Sequence, residues 1–453
     1  MSNPNANVTN VFVDLATKQP IDNKFYGGDC TTLLGREIRK VSWMSFIAVP
    51  LKKEPQGESA GYKFSRSADA LLHSWSTLTT PEIRLKRGLE RQYRIAFTYN
   101  LMHNVMSKLT LTFNDLMAVQ LDSFSFDMLA EHMEDPGKWD AYNKMIGNVP
   151  SLVEFGTVLP SKELKLPLRA MPWEKDVSNA LLLCCLRMND VRLNGDFQLE
   201  LSKLIRVQKV QDEPDEEGNP VWVNCKASSL NYSDIIEVRG GKPLQLPLPE
   251  MWAEYAMVTR PERRFHRESP HDYVIEQVQK FTHKRERAGT HRFDFKMNYP
   301  MRCLYMNAHN KTASEYNNHS NYSTNPHNAG DGKDPMQTLS LYYDNVPRFE
   351  RFPASHFSDI VPYYHHKRVP MSVGYHAHSY SLQNGLEQDC STNFTSVYSS
   401  LEIITKDTVG DDDDDNPRRG CHYAVELRGV SHHIGKIERD VFGFPSYGQA
   451  RDD

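Results

Sequence analysis

An all-β chain built as two β-sandwich domains in tandem is the fold class this sequence predicts, and three observations predict it. Short segments alternate apolar and polar side chains with a period of two, as where Leu109, Leu111 and Phe113 stand between Lys108, Thr110 and Thr112. Long polar connections, rather than helical repeats, separate these segments, which favours a sandwich over a βαβ arrangement. The 453 residues exceed one ordinary domain, and two β domains of about 200 residues each fit.

The segment Lys108–Phe113 is the clearest strand, half-buried by its alternation. Asn114 and Asp115 end it with side-chain oxygens suited to a local turn. The following Phe124–Met133 loses the period of two and reads as a short helix. Leu339-Ser340-Leu341-Tyr342-Tyr343-Asp344-Asn345 repeats the strand and its acid/amide turn in the second half, which suggests two similar domains.

In chain order, residues 1–27 form a polar N-terminal arm that holds the amphipathic piece Val11–Ala16 and is free to pack on its own domain or reach a neighbour. Arg36–Leu51 is rich in β-branched and aromatic residues and reads as a strand closed near Pro50. Further strands are expected at Leu71–Leu78, Arg94–Tyr99, Leu164–Leu168, Leu181–Met188, Phe197–Val207 and Trp252–Val258, with Pro167 marking an edge or an end. Acidic, turn-rich sequence between Val210 and Val221 marks a solvated loop tip.

Arg260–Arg292 is dense in arginine and lysine and reads as a charged linker with a short helix at Tyr273–Phe281, or as a basic surface meeting acidic partners or nucleic acid. The domain boundary is placed within it, near Ser269-Pro270, giving a first domain over 28–268 and a second over 269–453. The second domain opens with the alternating strand Arg292–Met297 and continues with Val373–Leu382, Phe394–Ile404 and His422–Ile434. The Asn307–Asp334 loop, dense in Asn, His, Ser and Gly, is expected to be an exposed functional surface. Asp411–Asp415 is a self-repelling run that stays solvated.

Composition sets limits on function. With 39% hydrophobic and 25% charged residues the chain has material for sizeable cores. A net charge of −5 argues against a globally basic nucleic-acid-gripping face. The polar N-terminus shows no secretory pattern, and the longest apolar run, Ala180–Leu186, is far short of the ~20 residues a spanning helix needs, so a soluble protein is expected. Seven cysteines (Cys30, Cys184, Cys185, Cys225, Cys303, Cys390 and Cys421) lack CxxC spacing and point to a reducing compartment, without a zinc site or a disulfide framework.

Candidate chemistry is sparse. His376 and His378 would share one face of a strand and can in principle ligate one ion, as paired cupin histidines do. A cupin also needs a glycine before the first and a glutamate after the second, and Pro370 and Leu382 stand there, so a polar outer strand face is the expectation. No nucleophile elbow, phosphate loop or dinucleotide fingerprint occurs. No catalytic, cofactor or metal residue is nominated, and no enzyme is expected.

Several motifs together resemble the major capsid protein family of the nucleocytoplasmic large DNA viruses, in its iridovirus/marseillevirus branch. They are Phe12–Thr17, Tyr26-Gly27-Gly28, Trp43–Phe46, Pro50-Leu51, Trp75–Glu82, Met102-His103-Asn104, Leu109–Asp115, Tyr142–Asn148 and Leu166-Pro167-Leu168 in the first half. Val274–Gln279, Ile360–Tyr364, Val369-Pro370, Tyr375, Tyr380, Ser391–Phe394 and Gly443-Phe444-Pro445 continue the likeness in the second. Asp389-Cys390, where the family usually has Pro-Ser-Gly, and the charged loops Asp212–Glu217 and Asp411–Asp415 depart from it.

The resemblance implies two tandem eight-stranded jelly rolls with long loops and short helices. It also implies a homotrimer that looks nearly hexagonal and tiles an icosahedral shell, with minor capsid proteins, an inner viral membrane and a DNA genome beneath. The virion is then the location, after synthesis and assembly in host cytoplasm, without a membrane-spanning segment, a cofactor or sequence-specific nucleic-acid binding. Two other readings remain at this point: a cupin-type jelly-roll metalloenzyme and a β-sandwich glycan-binding module.

Overall fold

The computed structural model describes residues 5–6, 44–211, 220–406 and 422–444, apart from 57, 67, 170, 172, 174–179, 241–242, 383–391 and 395–396. In the first half, Lys108–Phe113 lies within the strand Met106–Phe113, with Leu109, Leu111 and Phe113 at most 1% exposed. Asn114 takes a φ of 54°, and the chain returns as Leu116–Asp122. This hairpin is the edge of a five-stranded antiparallel sheet, continued by Val191–Phe197, Ser59–Lys63 and Lys52–Gln56. Glu163–Pro167, Ala70–Thr79, Glu250–Val258 and Met44–Pro50 form a four-stranded sheet. Tyr62, Leu111 and Leu193 from the first sheet share one core with Leu78, Leu166 and Tyr255 from the second.

The second half repeats the plan. Met336–Tyr343 and Val346–Pro353 form a hairpin over Asp344 and Asn345, whose φ values of 47° and 65° suit a tight two-residue turn. Ser399–Thr405 and Gly289–Phe295 extend that sheet on one side, and the backbone of Asn5–Ala6 pairs with Val346–Pro353 on the other. His271–Arg287, His422–Glu438, Pro300–Asn310 and His376–Ser379 make another antiparallel sheet, and Leu304, Leu341, Ile403 and Leu427 fill the core between.

One ribbon ties the halves together. His271–Arg287 and His422–Glu438 pair from His271↔Ile437 to Arg287↔His422. At one end Tyr273, Ile275 and Ile437 enter the first core, while Val425 and Leu427 at the other enter the second. Phe442, just beyond, stacks on Phe113 with ring centroids 3.9 Å apart. Because the same strands feed both cores, bending the halves apart would strip apolar surface from each.

Several expectations need correction. Tyr273–Phe281 is strand, not helix: its β-branched and alternating side chains suit the ribbon, and the helix is Arg260–Glu268 with a proline in its first turn. Leu181–Met188 forms no strand. Leu181 bridges to Leu71 and the chain then coils through a 3-10 turn at Leu183–Cys185, a continuous apolar run being equally content in any buried conformation. Phe197–Val207 is broken by the 3-10 turn Leu201–Lys203. Phe197, Leu199 and Leu201 do alternate into the core, yet their backbone bonds go to several elements, Gln198 to Val105 and Leu201 to Leu244. Val11–Ala16, Asp212–Glu217 and Asp411–Asp415 lie outside the described residues.

Candidate functional site

The residues that decide how this chain works as one unit lie on the seam between its halves, and the helix Ser123–Met133 is central to it. Asp122 ends the preceding strand and caps the helix, accepting from the Ser125 amide at 2.9 Å and its hydroxyl at 2.7 Å. Phe124 and Met128 pack on Tyr305, Tyr322, Tyr375 and Val430 of the second half. Phe126 and Ala130 face the first core. A helix buried on two sides carries apolar residues around more than one face, which is why its periodicity is blurred.

Polar groups inside the seam are joined across it. The Asp127 carboxylate is 1% exposed and accepts from Asn100 Nδ2 at 2.9 Å, His103 Nδ1 at 2.6 Å and the Tyr322 hydroxyl at 2.8 Å. Burial raises the Tyr142 hydroxyl well above its ordinary pKa, so it stays protonated and donates to His103 Nε2 at 2.7 Å. Asn148 Nδ2 closes the set by donating to Asn100 Oδ1 at 2.6 Å.

A second network surrounds Arg428. Its guanidinium reaches Asp122 at 2.8 Å and Glu426 at 3.0 Å and lies 4.5 Å from the Phe124 ring centre. Burial alone would raise both carboxyls. The hydrogen bond and charge of His309, with Lys311 and Arg428, hold Glu426 far below the usual range, and Arg428 with the Ser125 hydroxyl holds Asp122 below it. A third link runs from Arg368 to Glu131 at 3.1 Å, with the guanidinium 3.2 Å over the Trp139 ring.

The Asn307–Asp334 segment is the largest correction to the expected site. Most of it is not an exposed surface: Asn317, Asn318, Asn321, Ser323 and Thr324 are all at most 3% exposed, while the stretch 327–333 is largely exposed. Asn317 Nδ2 donates to the carbonyls of Ser202 and Ile205, each at 2.7 Å, and His319 Nε2 donates to the carbonyl of Lys203 at 2.8 Å. Asn310 Oδ1 accepts from Ala313, while its Nδ2 donates to the Ser323 carbonyl at 2.8 Å. The amides and hydroxyls that read as solvent chemistry satisfy buried backbone instead.

His376 and His378 are likewise inside, not on an outer strand face. They pair across the sheet with Met306 and Leu304, both core residues, so they share the inner face. His376 Nε2 lies 2.7 Å from Asp334, and His378 packs on Phe349, Phe357 and Tyr380. Burial, helped by Arg348, pushes His378 down to about 3. Among the described residues no group of three or more His, Cys, Asp or Glu is placed to hold a metal ion. Much of the basic segment is engaged within the chain: Arg263 with Asp69 at 2.6 Å, Arg267 with the Cys184 carbonyl at 3.0 Å and Lys280 with Asp122 at 3.1 Å.

These groups bind one another, so the seam holds two sandwiches in a fixed relation. No helix among the described residues is long and apolar enough to cross a membrane. Comparison with known proteins agrees with a shell-building fold. Residues 262–422 match the family model for the large eukaryotic DNA virus major capsid protein, and residues 32–228 match that for the major capsid protein N-terminus. The major capsid protein of Tipula iridescent virus is 31% identical over 416 residues, covering 87% of each chain. That of Costelytra zealandica iridescent virus is 29% identical over 98% of this chain and 100% of its own.

Among solved structures, the capsid protein in the quasi-atomic model of the PBCV-1 virus capsid superposes with a TM-score of 0.68 at 15% identity, over 92% of this chain and 99% of that one. The Faustovirus major capsid protein does so at 0.66 and 8% identity, over 90% and 92%. At those identities the likeness speaks for the fold, two jelly rolls in tandem, while the sequence matches speak for the relationship. The chain belongs to the major capsid protein family of the large eukaryotic DNA viruses, with iridovirus proteins among its relatives.

Proposed function

We propose that this protein is the principal shell component of a large DNA virus, a structural protein and not an enzyme, that trimerises into pseudo-hexagonal capsomers. The observation that carries this reading is the end-to-end match to named major capsid proteins. The locked seam supports it: a tile must keep its two sandwiches fixed if identical copies are to repeat one geometry across a lattice. Three such chains present six sandwiches around a threefold axis, and a closed ring of this kind uses heterologous contacts. Large contacts within the trimer make the capsomer permanent, while many weaker ones between trimers build the shell.

The finer assignments extend this reading. The division at Ser269-Pro270 separates a first jelly roll over 28–268 from a second over 269–453, with residues 1–27 as an arm. Minor capsid proteins and the inner viral membrane lie beneath the shell, and assembly takes place in host cytoplasm. Neither direct sequence-specific nucleic-acid binding nor a cofactor belongs to the proposal. The test is the absolute mass of the purified protein by light scattering over a range of concentrations. A stable species at three times the chain's 52.1 kDa supports the capsomer, with hexagonal arrays expected by electron microscopy. A strict monomer, with assembly factors supplied during expression, overturns it.

A further inference from the structure

Two apolar patches stand on different halves of the molecule. The first is the strand Met44–Pro50 and its surroundings. It is the last strand of its sheet, so among the described strands its outer edge has no partner. Phe46 on one face is 59% exposed and Ile47 on the other 47% exposed. Met257, across the ladder from Ser45, continues the patch, and Phe265 is exposed on the nearby helix Arg260–Glu268. An open, apolar edge exposed on both faces is an aggregation hazard unless something covers it.

The second patch lies on the short helix Val361–His365 and the segment around it. Tyr363 is 69% exposed, Tyr364 is 66% exposed and Met371 is 80% exposed. The two tyrosine rings touch at 5.0 Å, and Ile360 stands one helical turn before them. Beside it, Met371 shares a cleft of about 480 Å³ with Asp359 and Asp334. Aromatic residues and methionine are what the centres of protein interfaces collect.

We infer that these patches are the two halves of one contact, the Phe46/Ile47 patch of one copy seating against the Tyr363/Tyr364 patch of the next around the threefold axis. This rests on the trimer reading above and names its contacting surfaces. A closed ring needs two different patches on each chain, and these two stand on different halves. Their charges also favour unlike pairing. Arg260 and Arg267 are exposed on the helix beside the first, where Arg264 pairs with Glu268 at 2.7 Å, and Asp359 is exposed in the cleft beside the second. Pairing either patch with its own copy would set like charges together.

Mixing two variants tests this. Phe46→Asp with Ile47→Asp removes the first patch, and Tyr363→Asp with Tyr364→Asp removes the second. Each alone is expected to run as a folded monomer, its contact weakened at least about thirtyfold. Mixed, each still holds the patch the other lacks, so a one-to-one dimer at twice the chain mass forms and grows no further. Variants that remain trimeric beside a trimeric wild type, or that dimerise alone, overturn the pairing and leave the trimer standing. A monomeric wild type overturns both. Hydroxyl-radical footprinting of unmodified protein covers the case of a variant that does not fold: Phe46, Tyr363 and Tyr364 are expected to be protected in the trimer and labelled in the dilute chain. Equal labelling in both states overturns the inference.

Discussion

Tyr322 donates its hydroxyl to Asp127 at 2.8 Å, across 195 residues of sequence, and both side chains are buried. One comes from a loop of the second half and the other from the helix Ser123–Met133 of the first, so this single bond crosses the seam. Tyr322→Phe is expected to leave Asp127 Oδ2 without its donor, lowering stability by about 1–3 kcal/mol, because a stranded buried acceptor costs more than the bond itself was worth. Thermal denaturation of the variant measures it, and a melting temperature equal to that of the parent contradicts the role.

Gly374 sits where no side chain fits. Its φ is +90°, and an added Cβ would stand 2.4 Å from the Tyr322 carbonyl oxygen and 2.7 Å from the Tyr322 Cβ. Gly374→Ala therefore strains its own backbone and displaces the buried loop, at a cost of about 2–4 kcal/mol. Greater protease sensitivity within residues 311–334, together with a lower melting temperature, is the expected result. A variant as stable as the parent would show that the loop gives way freely.

Sequence periodicity reached the strands because it reports burial on one face, and Leu109, Leu111 and Phe113 are buried as their spacing requires. Motif likeness reached the family. Where the chain is buried on all sides the same logic misleads, as at Leu181–Leu186, equally apolar as strand or coil. Tyr273–Phe281 misleads for another reason, being a half-buried strand at the edge of its sheet whose polar residues blur the period of two. The seam was the least legible part. Asn317 and Tyr322 belong to a composition that ordinarily marks solvent, and only their partners at Ile205 and Asp127 show otherwise. Such pairings join residues far apart in sequence, and no local pattern encodes them. The one available signal was the likeness at Met102-His103-Asn104 and Tyr142–Asn148, which supply His103, Tyr142 and Asn148 to the network.

Arg428 is 1% exposed and serves two carboxylates, Asp122 and Glu426. Arg428→Ala leaves both negative charges facing each other with less compensation, and a loss of about 3–5 kcal/mol is expected by analogy with other broken buried pairs. Adding Asp122→Asn and Glu426→Gln to the variant removes the stranded charges, so a large part of the loss should return. Urea denaturation of the single and triple variants decides the matter. Equal midpoints for the two would show that the loss comes from packing and not from charge.

Acid is expected to loosen the molecule from within. His132 of the first half and His366 of the second have ring centroids 5.0 Å apart, with Tyr305 beside both. Burial pushes His132 well below its ordinary value, with His366, His376 and Arg368 adding to it. Burial, with His365 and Arg302, brings His366 down to about 3. An unfolded histidine takes a proton near pH 6.5, and these folded ones resist it, so stability falls as pH drops below about 6.5, by about 2 kcal/mol at pH 5 for His366. For His366 the decline continues toward pH 3, where the folded form itself becomes protonated. Glu131 works in the opposite direction: burial raises its carboxyl despite Arg368, so the folded state takes up that proton more readily and offsets part of the loss at lower pH. The expected observation is a melting temperature that falls steadily between pH 6.5 and 5. His366→Gln should flatten that slope whatever it does to absolute stability, since glutamine cannot take up a proton in either state. An unchanged slope in the variant would assign the acid sensitivity to other groups.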